Sequence, residues 1–290
     1  MEIKKYLELI RINQWIKNLL VFVPIFFALK FNFENFYHVF LVFISFSFTA
    51  SSVYIINDVF DLEFDKKHPQ KKLRPIASNK ITIKKAAIVS LITLVLGIAV
   101  SLFINRTVFY LIASYFIINL LYSKWLKYVP IIEVMVISIG FILRIMAGAA
   151  AVSITVSSWI MVCTFFGALF LGFGKRKSEI SNLKEESEKT RGILAFYEYN
   201  FINQLLGLSA GVTIMSYTLY TMDLATINHF KTKELIYTIP FVVFGLCRYF
   251  QIIYTKSSGE NPSRVFLTDL PIFINSMLWI VSFGIIIYFN

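Results

Sequence analysis

Residues 36–65 read FYHVFLVFISFSFTASSVYIINDVFDLEFD, a predominantly apolar run from Phe36 to Ile56 that passes directly into Asn57-Asp58-Val59-Phe60-Asp61-Leu62-Glu63-Phe64-Asp65. The apolar part has the length, about 20 residues, that a helix needs to cross a bilayer, and it lacks the polar face of a soluble surface helix. Of the five aspartates in the chain, three stand in the eight residues 58–65. On a helix continued from the apolar run, 57, 61 and 65 fall at i, i+4 and i+8 with 58 beside 61, so an amide and three carboxylates share one stripe. Like charges at that spacing repel and call for a cation. Hard oxygen donors suit magnesium, which binds through one or two carboxylates together with substrate phosphates. Asn57, Asp58, Asp61 and Asp65 are therefore the candidate metal ligands, and the three aspartates the candidate catalytic residues. A solvated loop is the plain alternative, but membrane topology asks for bases at a cytoplasmic helix end and does not explain acids.

Outward from this stretch the same solvent argument holds. The chain has 290 residues, of which 57% are hydrophobic, and its mean hydropathy is +0.70. Apolar runs predict nine spans, near 18–31, 36–56, 86–104, 107–123, 131–152, 158–173, 202–222, 235–254 and 269–289. They must be helices, because an open strand or loop in lipid leaves backbone groups without partners. The expectation is an all-α, polytopic protein forming one integral membrane domain over 1–290. Lys4, Lys5, Glu8, Arg11 and Lys17 precede the first run with no small-residue cleavage site after it, which predicts a retained N-terminus. Cys163 and Cys247 both fall inside predicted spans, which argues against a disulfide framework or a zinc site.

The formal charge is +11, and its distribution explains it without nucleic acid. With the N-terminus inside, 22 of the 28 Lys and Arg lie on cytoplasmic segments, as the positive-inside rule demands. The expected location is the cell membrane, with the loops 57–85 and 174–201 both cytoplasmic. The second loop opens Gly172-Phe173-Gly174-Lys175-Arg176, where Lys175 and Arg176 suit phosphate oxygens and the glycines would let a ligand approach the backbone. Topology alone can also place such a basic cluster. Lys184 to Arg191 alternates in charge and is read as a connector. Arg144, inside the fifth span, is expected to face the bundle interior with a partner. Glu133 lies eleven residues earlier on nearly the same face, and Arg248 is expected to snorkel.

The signature Asn57-Asp58-x-x-Asp61-x-x-x-Asp65 at the end of the second span resembles the UbiA superfamily of intramembrane prenyltransferases, and the resemblance extends over nearly the whole chain. It implies a helical bundle whose aspartates hold a magnesium-bound diphosphate. Members typically carry a second Asp-x-x-x-Asp after the sixth span, whereas residues 174–201 contain no aspartate and present Gly174-Lys175-Arg176 instead. That departure is joined by Arg11-x-x-Gln14-Trp15-x-Lys17-Asn18, by His68-Pro69-x-Lys71-x-x-Arg74-Pro75-Ile76-Ala77, and by Val129-Pro130-x-x-Glu133 ahead of Arg144. The pattern is similar to the decaprenyl-phosphate phosphoribosyltransferase branch, except that Glu133 stands where aspartate is expected.

The branch resemblance implies transfer of 5-phosphoribose from phosphoribosyl diphosphate to a polyprenyl phosphate. Gln14, Lys17, Asn18, Lys71, Arg74, Glu133, Arg144, Lys175 and Arg176 are then the substrate-binding candidates, and a homo-oligomer is compatible. Two other readings stand beside it. One is prenyl transfer to an aromatic acceptor. The other is a transporter, which an intramembrane Arg144 would also suit, although no paired Gly/Pro-interrupted spans accompany it.

Overall fold

A computed structural model describes residues 2–68, 70–183, 196–256 and 262–289. Every regular element in them is helical, and the chain divides into two compact units, 1–156 and 157–290. Among the described residues eight helices are long and apolar enough to span a membrane, or nine if a bent N-terminal pair counts as one span.

In the first unit α1 (Glu2–Leu9) is followed by a 3₁₀ segment, Ile12–Phe22, and a short α2 (Val23–Phe27). The expected single span at 18–31 is thus corrected. Arg11 takes φ 53, which bends the pair by 50°, and Leu29 at φ 53 closes α2 before residue 31. Long 3₁₀ runs are uncommon. This one is held by burial of Asn18 and Val21 and by Gly148, where an added Cβ would overlap the Val21 carbonyl.

Next, α3 (Phe33–Phe60) begins at the Asn32 cap, whose side chain accepts from the Asn35 N–H at 2.7 Å. It ends one residue short of Asp61, and α4 (Leu62–Lys67) restarts the helix. The Asp61 and Asp65 amides still donate to the carbonyls of Asn57 and Asp61, at 2.9 and 2.8 Å. The acidic stripe therefore survives the break. A 3₁₀ turn, Lys71–Leu73, leads toward α5 (Ile83–Ile104), capped by Thr82.

Asn105 alone separates α5 from α6 (Arg106–Lys124) and caps the latter. A 3₁₀ turn at Leu126–Tyr128 precedes α7 (Ile132–Ala151). α3 and α5 approach closely through small residues: Ser45 donates to the Gly97 carbonyl at 2.6 Å, and the hydroxyls of Ser52 and Ser90 lie 2.9 Å apart. Phe46, Val53, Ile112, Tyr115 and Leu143 form the core around α3. Ile76 and Ile81 pack with Leu9, Ile55 and Ala86. That small cluster folds the connection before α5 back against the helix ends.

In the second unit α8 (Ser158–Leu183) continues ten residues beyond the span expected to stop at 173. The segment expected to open a loop at 174 is helical, and Lys175 and Arg176 are helix residues. The charged connector from Lys184 to Arg191 lies outside the described residues. α9 (Tyr199–Met222) packs on α8, followed by α10 (Leu224–Phe230), a 3₁₀ turn at Glu234–Thr238, α11 (Ile239–Lys256), α12 (Pro262–Thr268) and α13 (Leu270–Phe289).

Candidate active site

Three chain breaks in the first unit meet at one end: the bend at Arg11, the α3–α4 junction with its return toward α5, and the turn between α6 and α7. Asp58, Asp61 and Asp65 are all buried there. Each carboxylate has a cation. Asp58 Oδ1 accepts from Arg11 Nη2 and, at 2.9 Å, from Arg74 Nη1. The same Arg74 nitrogen donates to Asp65 Oδ2 at 2.6 Å. Asp61 Oδ1 accepts from Lys127 Nζ at 2.6 Å, and its Oδ2 accepts from Asn57 Nδ2 at 3.0 Å. Glu63, in the same stretch, points outward to Lys66 at 2.7 Å, and that hydrogen bond keeps its carboxyl below the usual glutamate value.

Arg74 was expected at a substrate phosphate and here bridges two aspartates. Lys71, one turn earlier, is half-buried beside it. Arg11 and Lys127 complete the site, although neither is among the candidates drawn from the sequence. Arg11 stood in a quoted motif and differs from an ordinary juxtamembrane base in its left-handed backbone. Lys127 is 66 residues from Asp61, and no local signal connects the two. Its turn is pinched, with Ile131 at φ 67, a costly backbone for a β-branched residue.

Deeper in the unit, Arg144 donates from Nε to Asn18 Oδ1 at 2.8 Å, from Nη1 to the Gly140 carbonyl at 2.6 Å and from Nη2 to the Tyr115 hydroxyl at 3.1 Å. The rings of Tyr115, Phe46 and Phe141 stand 4.8, 5.4 and 5.6 Å from its guanidinium carbon. It faces the interior as expected, but its partners are neutral. Asn18 in turn donates to the Ser47 hydroxyl at 3.0 Å, so Arg144 fixes the 3₁₀ segment that carries Gln14, Lys17 and Asn18. Lys17 is half-buried within electrostatic reach of Arg144 and Arg11. Glu133 is buried in the first turn of α7.

In the second unit Lys175 and Arg176 both pair with Glu179, the former at 3.8 Å. The space expected for a ligand at Gly174 is filled by α11, since a Cβ there would lie 2.7 Å from Ile253 Cδ1 and 2.9 Å from Tyr249 Cε1. Arg248 clasps Asp269 with bonds of 2.9 and 3.2 Å, and Asp269 also caps α13 through the Ile272 amide.

Whether the acidic end fits a magnesium ion turns on its donors. Among the described residues no three His, Cys, Asp or Glu converge as a closed metal cage. Magnesium bound with substrate phosphates does not need one. The donors are all oxygen, and Asn57 Oδ1 is buried without a hydrogen-bond partner among the described residues, which leaves one acceptor beside Asp61. These residues fit such an ion.

The family model for the UbiA prenyltransferase family matches residues 19–277. This chain belongs to the UbiA prenyltransferase family. Like other UbiA members it is a multi-pass membrane enzyme, a transferase. It is 31% identical to the decaprenyl-phosphate phosphoribosyltransferase of Corynebacterium glutamicum, over 97% of this chain and 86% of that one. It is 30% identical to the enzyme of that name from Mycolicibacterium smegmatis, over 98% and 92%. A UbiA homologue from Archaeoglobus fulgidus, solved bound to DMAPP and Mg2+, superposes with a TM-score of 0.74 at 21% identity, over 98% of this chain and 99% of that one. The UbiA fold is thus common to chains of widely different sequence.

Proposed function

We propose that this UbiA-family enzyme transfers 5-phosphoribose from phosphoribosyl diphosphate to a polyprenyl phosphate and releases diphosphate. One observation carries the reading. Beyond the cations that neutralise the three aspartates, the first unit holds Lys17 and Arg144, which form no ion pair with a carboxylate among the described residues. A prenyl diphosphate has one charged end. A phosphoribosyl donor has a diphosphate and a C5 phosphate, and a lipid phosphate adds a third anionic group, so surplus cations suit this pair of substrates. Full-length similarity to two enzymes named for that chemistry supports the same choice.

Asn57, Asp58, Asp61 and Asp65 would hold a magnesium ion, which when bound would offset the charge of the donor's diphosphate and stabilise it as a leaving group. The chain's own residues do the rest. Arg11 and Arg74 orient Asp58 and Asp65, and Lys127 orients Asp61. Lys17, on the 3₁₀ segment that Arg144 braces through Asn18, would supply the cation for a substrate phosphate, with Gln14 on the same segment, and Lys71 and Glu133 remain further candidates. The acceptor is a phosphate monoester whose second pKa is near 6, so it is ionised at neutral pH. One of its oxygens bonds to C1 of the ribose while the C1–O bond to diphosphate breaks and its electron pair leaves with the diphosphate. No proton has to be removed, so the site needs no general base. Development of positive charge at C1 is expected, as in glycosyl transfer generally. The site would face the cytoplasm of the cell membrane. The test is mass spectrometry of the lipid fraction after incubating the purified protein with magnesium, phosphoribosyl diphosphate and a polyprenyl phosphate. A lipid heavier by one phosphoribosyl group supports the proposal, and unmodified lipid contradicts it.

A further inference from the structure

In the second unit two buried polar atoms on successive residues, Lys177 Nζ and Ser178 Oγ, have no hydrogen-bond partner among the described residues. Lys177 is 1% exposed and Ser178 0%. Both continue the buried stripe of α8: Phe170, Phe173, Gly174, Lys177 and Ser178 recur at the spacing that keeps one helix face toward the core. At Gly174 the stripe is closed by Tyr249 and Ile253 of α11. One turn later it carries an amine and a hydroxyl instead of apolar groups. Among the described residues the ammonium meets ring faces, at 2.7 Å from the centroid of Tyr254 and 5.1 Å from that of Tyr199. Tyr254 and Tyr199 are themselves 49% and 45% exposed, so both reach the surface. Lys175 and Arg176, by contrast, share Glu179.

An ammonium and a hydroxyl buried side by side with unused donors call for an oxyanion, because unpaired buried donors carry their full desolvation cost. We propose that Lys177 and Ser178 form a binding site for a phosphate monoester beneath the cover of Tyr199 and Tyr254. The ammonium offers three donors and the hydroxyl one, against the terminal oxygens of a monoester that is largely dianionic at neutral pH. The choice of a monoester rests on the phosphoribosyl reading, in which both the C5 end of the donor and the lipid acceptor are of this class. Occupancy requires the two tyrosine rings to turn outward.

Isothermal titration of the purified protein in detergent with ribose 5-phosphate and, separately, with farnesyl phosphate tests the site and tells the two sources apart. Wild type should bind one of them saturably. Lys177→Met, which keeps the apolar contact with the rings, should weaken that ligand by about 10- to 100-fold, Ser178→Ala by about tenfold, and Lys177→Arg should recover most of the loss. Loss confined to ribose 5-phosphate makes it a sugar-phosphate site, and loss confined to farnesyl phosphate makes it a lipid-phosphate site. Wild-type affinity for both ligands in Ser178→Ala and in any folded Lys177→Met overturns the proposal, as does the absence of saturable binding to wild type. The titration reads binding without turnover. A Lys177-dependent monoester site in a protein that transfers no phosphoribose would retain this inference and retire the functional reading, and the converse result would retire only the site.

Discussion

Lys127 and Asp61, 66 residues apart, meet at 2.6 Å with both side chains 2% exposed. Removing one member of such a buried pair leaves an uncompensated charge and costs about 3–5 kcal/mol, whereas replacing both with neutral groups costs far less. Lys127→Met should therefore lower the thermal midpoint in detergent markedly, and the double variant Lys127→Met/Asp61→Asn should recover much of that loss. A double variant as unstable as the sum of the singles would show that the pair is not coupled.

The acceptor beside that pair gives a second expectation. Asn57 Oδ1 is buried and, among the described residues, unpartnered, so Asn57→Ala should raise the magnesium concentration needed for half-maximal turnover while leaving turnover at saturating magnesium less affected. Asp65→Asn, which also loosens Arg74, should lower turnover at every magnesium concentration. Magnesium titrations of the two variants that superpose on wild type would remove these residues from the metal site.

Lys17 behaves differently from its neighbour Arg144 because among the described residues its side chain makes no hydrogen bond or ion pair. Lys17→Met should leave the unfolding free energy within about 0.5 kcal/mol of wild type and raise KM for a phosphate-bearing substrate by about 10- to 150-fold, the equivalent of roughly 1.5–3 kcal/mol. Arg144→Met should fail in the opposite sense, losing stability because Asn18, Tyr115 and the Gly140 carbonyl lose their donor. Equal KM for wild type and Lys17→Met would place Lys17 outside the substrate site.

Orientation is tested at Asn79, exposed in the connection between α4 and α5. With Cys163 and Cys247 replaced, a single cysteine at 79 should react with an impermeant thiol reagent only after the cells are opened. Labelling of intact cells would invert the topology and move the acidic end to the outer face.

The long apolar runs made most of the bundle legible, because lipid admits little besides a helix at that length, and the acidic stripe was legible from its i, i+4 spacing. Three features were not. The first span is a bent 3₁₀ segment, held by contacts such as Gly148 against Val21 that no local pattern announces. The end of α8 runs past 173 with Lys177 and Ser178 on its buried face, so a fall in hydropathy there marks polar residues within the helix and not a loop. The counter-ions of the aspartates come from three chain breaks distant in sequence. Lys127 in particular resembles any topology-determining base until the fold brings it to Asp61.

The most direct measurement of the central claim is diphosphate release by the purified protein with magnesium, given two substrate pairs in parallel. Phosphoribosyl diphosphate with a polyprenyl phosphate should release diphosphate in proportion to the enzyme added, and a prenyl diphosphate with an aromatic acid should release none. Release from the second pair alone would contradict the account, and the surplus cations around Lys17 and Arg144 would then belong to an aromatic prenyltransferase.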